Sequence, residues 1–128
     1  MIVIVVVSIL TVLAYPNYQT QMTENRRTDG QRILLEIMND QQKFYSQYSR
    51  YTTDLVATDP TIGLGRENPN GDGSVPSDND FYLVTAQACA SLTINECVLL
   101  TATPQGGQVG DGNLTYNSRN EKTPATHW

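Results

Sequence analysis

Cys89 and Cys97 are the only cysteines in the chain, and they stand eight apart around Ala-Ser-Leu-Thr-Ile-Asn-Glu. That spacing is too wide for a redox Cys-x-x-Cys pair, and no further cysteine exists to complete a zinc site. It fits a disulfide across a hairpin. Closing so short a loop stabilises by about 2.5 kcal/mol in the chain-entropy model. A disulfide also points to an oxidising, exported setting. A second group of candidate ligands is Asn68-Pro-Asn70-Gly-Asp72-Gly-Ser-Val75. Oxygen-bearing side chains alternate there, with a glycine sixth and an apolar residue eighth, as in a calcium loop of the EF-hand type. Asn68 replaces the usual first Asp, and the twelfth position is Asn79, between Asp78 and Asp80. A plain Asn-Gly-Asp-Gly surface turn explains the same residues and is favoured. Asn68, Asn70 and Asp72 stand as the alternative, a calcium site. No other cofactor is expected.

The charged residues bound the partners. There are eight basic and thirteen acidic residues, for a net charge of −5 and a pI near 4.6. Nucleic-acid binding needs a basic stripe that neutralises phosphates. The basic residues here are scattered, and Arg119 with Lys122 makes the best local patch. DNA is therefore disfavoured as a partner. The globular part is expected to bind duplex more weakly than the usual non-specific range of roughly 10⁻⁴ to 10⁻⁶ M. Arg26 and Arg27 read as ion-pairing partners of acidic groups such as Glu24 and Asp29 on a neighbouring subunit, rather than as a lipid or DNA site. His127 is the single histidine and reads as a surface residue. No His-Glu-x-x-His, Gly-x-Ser-x-Gly or phosphate loop occurs, so the chain reads as a building block and not an enzyme.

The elements that carry these residues fall into blocks. Met1 to Tyr15 contains no charge. As a helix it would span roughly 22 Å, short of the roughly 30 Å of a bilayer core. It lacks the basic start and small-residue cleavage site of a signal peptide. Pro16 removes a backbone donor, so a kink or local unwinding is expected there. Beyond it, Ile33, Leu34, Ile37, Met38, Gln41, Phe44, Tyr45 and Tyr48 recur at three- and four-residue spacing, with Gln41 the one polar interruption. This predicts an amphipathic helix laid on a sheet, with Phe44, Tyr45 and Tyr48 in the core. Gly30 marks a flexible or closely packed spot. Residues 50–80 read as a long loop holding six of the thirteen acidic residues. Phe81 to Ala88, Val98 to Thr103 and Leu114 to Asn117 read as strands of an antiparallel meander, with glycine-rich turns between them.

The apolar run Met-Ile-Val-Ile-Val-Val-Val-Ser-Ile-Leu ends in Ala14-Tyr-Pro16-Asn-Tyr18. With the amphipathic helix and small disulfide-bearing domain that follow, it resembles the type IV pilins. Val98-Leu-Leu-Thr-Ala-Thr-Pro-Gln-Gly-Gly-Gln, followed by Leu114-Thr-Tyr-Asn-Ser, resembles a subgroup of small type IVa pilins that includes minor and competence pilins. Many relatives carry a cysteine in the turn before Leu-Thr and end in Cys-Trp. Here the matching places are Asp111 and His127, so that disulfide is absent. The family's cleavage site and early glutamate lie upstream of the matched run. The chain is thus expected to be a mature pilin lacking a few N-terminal residues, or one given a late start.

The resemblance implies an α+β fold, with a long N-terminal helix packed on a small antiparallel sheet of three to four strands. Residues 1–22 would form the membrane and filament-core segment. Residues 23–128 would form the globular domain: helix 23–49, αβ-loop 50–80, and sheet with C-terminal region 81–128. It implies a structural subunit of a type IV pilus, made for adhesion, motility or DNA uptake. The subunit would be held in the inner membrane of a Gram-negative bacterium before assembly, and would then polymerise outside the cell. Its partners would be the assembly machinery and other copies of itself in a helical homopolymer. Val3, Val6, Val7, Leu10 and Leu13 would pack the filament core. Pro16 would mark the unwinding point within Ser8 to Pro16, and Tyr15 and Tyr18 would pack beside it. A minor or competence pilin that binds DNA, or a pseudopilin of type II secretion, is the alternative.

Overall fold

The computed structural model describes residues 2–128, with side chains from Gln21 onward. Helix α1 (Ile2–Tyr48) is followed by β1 (Val75–Pro76), β2 (Tyr82–Ala88), β3 (Val98–Pro104), β4 (Leu114–Asn117) and β5 (Lys122–Thr123). Short 3-10 turns cover Gly106–Asp111 and Ala125–His127. The sheet runs β1-β2-β3-β4-β5 with every neighbouring pair antiparallel. The α+β class and the helix-on-sheet arrangement agree with the sequence reading. The strand number does not: five strands form rather than three to four. The surplus comes from β1 and β5, each two residues long and too short to show an alternating pattern.

α1 is 47 residues, about 70 Å at the usual rise. It continues unbroken through Pro16, so the local unwinding expected there does not occur in the single chain. A proline costs one ladder bond and crowds the preceding turn, but its fixed φ is itself helical. The side chains of Val3, Val6, Val7, Leu10, Leu13, Tyr15, Pro16 and Tyr18 lie outside the described residues.

The second half of α1 buries Ile33, Leu34, Ile37 and Met38 against the inward face of the sheet. That face is built from alternate residues, Tyr82 and Val84 on β2, Val98, Leu100 and Ala102 on β3, and Leu114 on β4. The two periodicities, 3.6 and 2, thus meet in one core. Gly30 sits where the two layers come closest. A Cβ built there would lie 2.8 Å from the Tyr82 ring, so close packing explains the glycine. Phe44 is buried as expected, but Tyr45 is 41% exposed and stacks on Tyr51, with centroids 4.7 Å apart. Two residues from the next loop, Tyr51 and Leu55, complete that end of the core.

Gln41 has no exposed surface. Its Nε2 donates to the Thr52 carbonyl at 2.7 Å and its Oε1 accepts the Thr52 amide at 3.0 Å. The side chain thereby acts as one rung of a ladder, tying the start of the long loop to the helix. Further along the loop, Arg66 donates from Nε to Asp40 at 2.8 Å and pairs with Glu36 at 3.4 Å. Asp54 Oδ1 accepts the amides of Val56 and Ala57. The loop is therefore pinned at several points although it lacks regular structure.

Candidate functional site

The β2–β3 hairpin closes at Cys89 and Cys97, which are disulfide-bonded with Cα atoms 5.5 Å apart. The Cys89 amide donates to the Cys97 carbonyl at 3.3 Å. Beside this tip, on the sheet face turned away from α1, lies a groove of about 290 Å³. Leu92, Leu99, Thr115, Asn117, Arg119 and Thr123 contribute to its walls. Asn117 shapes the β4–β5 turn, because its Oδ1 accepts the amides of Arg119 and Glu121, each at 3.0 Å. That turn brings Arg119 and Lys122 to one edge of the domain, and both are exposed. The Lys122 ammonium lies 5.4 Å from the Tyr116 ring centroid and 5.1 Å from that of Trp128. The two rings are 5.9 Å apart. Trp128 is anchored through Nε1, which donates to the Thr123 carbonyl. Among the described residues neither Arg119 nor Lys122 forms an ion pair. The arrangement offers two exposed cations without an ion pair, Arg119 in the groove with Glu121 and Lys122 beside two aromatic faces.

The opposite side of the C-terminal region is organised by Asp111. Its carboxylate takes two charge-assisted bonds from Arg27, from Nε at 2.7 Å and from Nη2 at 2.5 Å. Gln108 Nε2 donates to the same carboxylate at 3.2 Å and to the Tyr82 hydroxyl at 3.2 Å. The Arg27 hydrogen bond is the main reason the Asp111 carboxyl sits below its ordinary pKa, and desolvation opposes it. His127 Nδ1 stands 4.0 Å from Asp111, and Gln31 Nε2 donates to the His127 carbonyl. His127 is therefore half-buried against the hub and is not a plain surface residue. Asp111 and His127 are also the two places where the resemblance to type IVa pilins would put a pair of cysteines. A carboxylate, a guanidinium and an imidazole hold the end of this chain instead.

Asn68, Asn70 and Asp72, singled out by sequence, lie in a turn of their own. Asn68 Oδ1 accepts the Gly71 amide at 3.0 Å. Asp72 Oδ1 accepts the Ser74 hydroxyl at 2.6 Å and the Ser74 amide at 3.0 Å, which lowers the Asp72 pKa. Asn70 points to solvent. Gly71 and Gly73 take φ of 72° and 82°, conformations a turn of this kind needs. Among the described residues no cluster of three or more His, Cys, Asp or Glu side chains is placed to hold a metal ion. The segment has the geometry of a surface turn. Within the single chain, among the described residues, Arg26 and Arg27 form no ion pair with Glu24 or Asp29. Arg27 goes to Asp111, Arg26 lies 4.9 Å over the Phe81 ring, and buried Asp29 accepts from Asn79. Trp128, Gln108 and Asp111 were not singled out as site residues by sequence. For Trp128 the available signal was a terminal aromatic six residues after Lys122.

Comparison with known proteins places the chain. The family model described as "Type IV minor pilin ComP, DNA uptake sequence receptor" matches residues 16–115. No curated protein sequence matches. A solved type IV pilin from Shewanella oneidensis has the same fold, with a TM-score of 0.56 over 83% of this chain and 97% of that one, at 19% identity. No helix among the described residues is long and apolar enough to cross a membrane. A long helix clasped by a disulfide-stapled antiparallel sheet is the build of a structural subunit, and by the family match this chain belongs to the ComP family of type IV minor pilins, subunits of the pilus at the cell surface.

Proposed function

We propose that the chain is a minor pilin that captures duplex DNA at the pilus surface, through the edge carrying Arg119, Lys122, Tyr116 and Trp128. The observation that carries this reading is the pair of exposed cations left without acidic partners beside two aromatic rings. The family description, a DNA uptake sequence receptor, agrees with it. The net charge of −5 had argued against DNA. Net charge describes the whole body, whereas Asp111, Asp40 and Glu36 are paired with Arg27 and Arg66 away from this edge. A local cationic rim on an acidic body would bind weakly without the right sequence and would favour base-edge contacts for affinity. Residues 1–22 would anchor the subunit in the inner membrane of a Gram-negative cell and then pack in the filament core. Residues 23–128 would form the exposed domain. Neighbouring pilins and the assembly machinery would be its protein partners.

The test is an anisotropy titration of the full chain in neutral detergent with duplexes from its own genome and from an unrelated one. Micromolar binding is expected. Its logarithm should fall with log salt at a slope of about −1.8 if two phosphates are neutralised. The double variant R119A/K122A should lose it. Absence of binding at low salt, or equal binding by the variant, would favour a second reading suggested by the net charge: a fibre-building pilin with no DNA role.

A further inference from the structure

The sheet turns one face to α1 and the other outward. On β3, Val98, Leu100 and Ala102 are buried, so Leu99, Thr101 and Thr103 face out. The register carries this outward set across the sheet. Thr85 pairs with Thr101, Thr101 with Thr115, and Thr115 with Thr123. Four threonines from four strands thus form one straight row, about 14 Å long at the usual strand spacing. Thr115 and Thr123 join their hydroxyls at one end of it. Gln87, Leu99 and Asn117 make the neighbouring row. None of the outward residues of β2, β3, β4 and β5 is charged.

Threonine suits strands, which accounts for any one of the four. It does not account for a charge-free face on a chain with 21 charged residues. An exposed sheet face is ordinarily kept soluble with lysine and glutamate. A neutral face also has no pull on a polyanion. Its two leucines, Leu83 and Leu99, are not cross-strand partners, so it lacks the apolar centre of a protein interface. What it presents is a row of hydroxyls that both donate and accept, each beside a methyl group. That matches a sugar ring, which offers hydroxyls at its rim and C–H groups on its face. The row ends at the 290 Å³ groove whose walls join Thr115, Asn117 and Thr123 with Leu99, Arg119 and Glu121, where a terminal sugar would sit. The Asn117 amide nitrogen there is a donor for it, since only Oδ1 is engaged in the turn.

We propose that this outward face is a docking surface for a neutral, extended polysaccharide of hexose units, with the threonine row running along the chain of sugars. The two sites meet at Arg119, which lines the groove, and part at Lys122, which lies off it beside Tyr116 and Trp128.

The test measures retention of the full chain, in neutral detergent, on microcrystalline cellulose and on chitin. Retention should be unchanged between low and high salt, because no ion pair is involved. Thr101→Val with Thr115→Val removes two hydroxyls while keeping strand-forming side chains, and should cut retention at least tenfold. Thr101→Ser with Thr115→Ser should keep it. Thr85→Glu places a charge on the row at an exposed position and should also weaken it. DNA binding by the same variants should stay as in the parent, whereas Lys122→Ala, off the groove, should weaken DNA binding and leave retention unchanged. Failure to be retained on either polymer, elution by salt, or parental retention by both the valine pair and Thr85→Glu would overturn the proposal.

Discussion

Replacing Gln41 by leucine keeps the size of the side chain and removes both bonds to Thr52. The Thr52 amide and carbonyl are buried and have the Gln41 carboxamide as their partner. Each buried backbone group left unpaired costs about 1–3 kcal/mol. The added apolar burial of leucine returns about 1 kcal/mol. The net loss should be about 1–5 kcal/mol, against the 5–15 kcal/mol typical of a domain. Gln41→Glu sharpens the expectation. At neutral pH its carboxylate would still accept the Thr52 amide but would face the Thr52 carbonyl with a buried charge. Protonation restores a donor to that carbonyl. Burial raises the folded pKa of such a glutamate above its unfolded value, so the penalty should shrink as pH falls through the raised value. Urea unfolding followed by near-UV circular dichroism measures both variants, and hydrogen exchange at the Thr52 amide reports the local bond. If Gln41→Leu unfolds within 0.5 kcal/mol of the parent and the Thr52 amide stays protected, the ladder-rung account is wrong.

Asp111 titrates below its ordinary pKa when folded, so its contribution is present above the unfolded carboxylate pKa and is lost as pH falls through the lower folded value. Thermal melts from pH 7 to pH 3 should show that acid limb, and Asp111→Asn should lose about 3 kcal/mol at neutral pH and flatten the limb. Gly30→Ala should destabilise by about 1–3 kcal/mol through the Tyr82 contact, despite the better helix propensity of alanine, as read from urea midpoints. Reducing Cys89–Cys97 should lower stability by about 2.5 kcal/mol, and mass spectrometry of the unreduced chain should find no alkylated thiol. Val6→Asp should abolish incorporation into sheared fibres while leaving the globular domain folded, since a lone charge in an apolar filament core costs several kcal/mol.

Local patterns were readable because they repeat over many residues. The helical stripe from Ile33 to Phe44 and the alternation in β2 and β3 each bury one face, and burial enforces them. The hairpin disulfide was readable because eight-residue spacing leaves few geometries. The strands β1 and β5 were not, since two residues carry no period. Tyr45 fitted the helical stripe by spacing but lies at its margin, where stacking on Tyr51 replaces burial. Arg27 illustrates a different limit. Sequence pointed to acidic partners on a neighbouring subunit, and within the chain the bond it makes spans 84 positions to Asp111. Only the packing of the 3-10 turn on α1 creates that pair. The threonine row is of the same kind: each residue is ordinary in its own strand, and the alignment exists only in the register.

The brevity of β1 and β5 bears on crowding within a pilus. Packed subunits hold their sheets at very high local concentration for the life of the fibre. A sheet with long open flanks would invite backbone pairing with its neighbour and fuse into an amyloid-like ribbon. Here each flank offers only two residues, and on one of them Pro76 has no amide hydrogen to give. Backbone pairing along either flank is thereby limited to two residues, too few to seed such a ribbon.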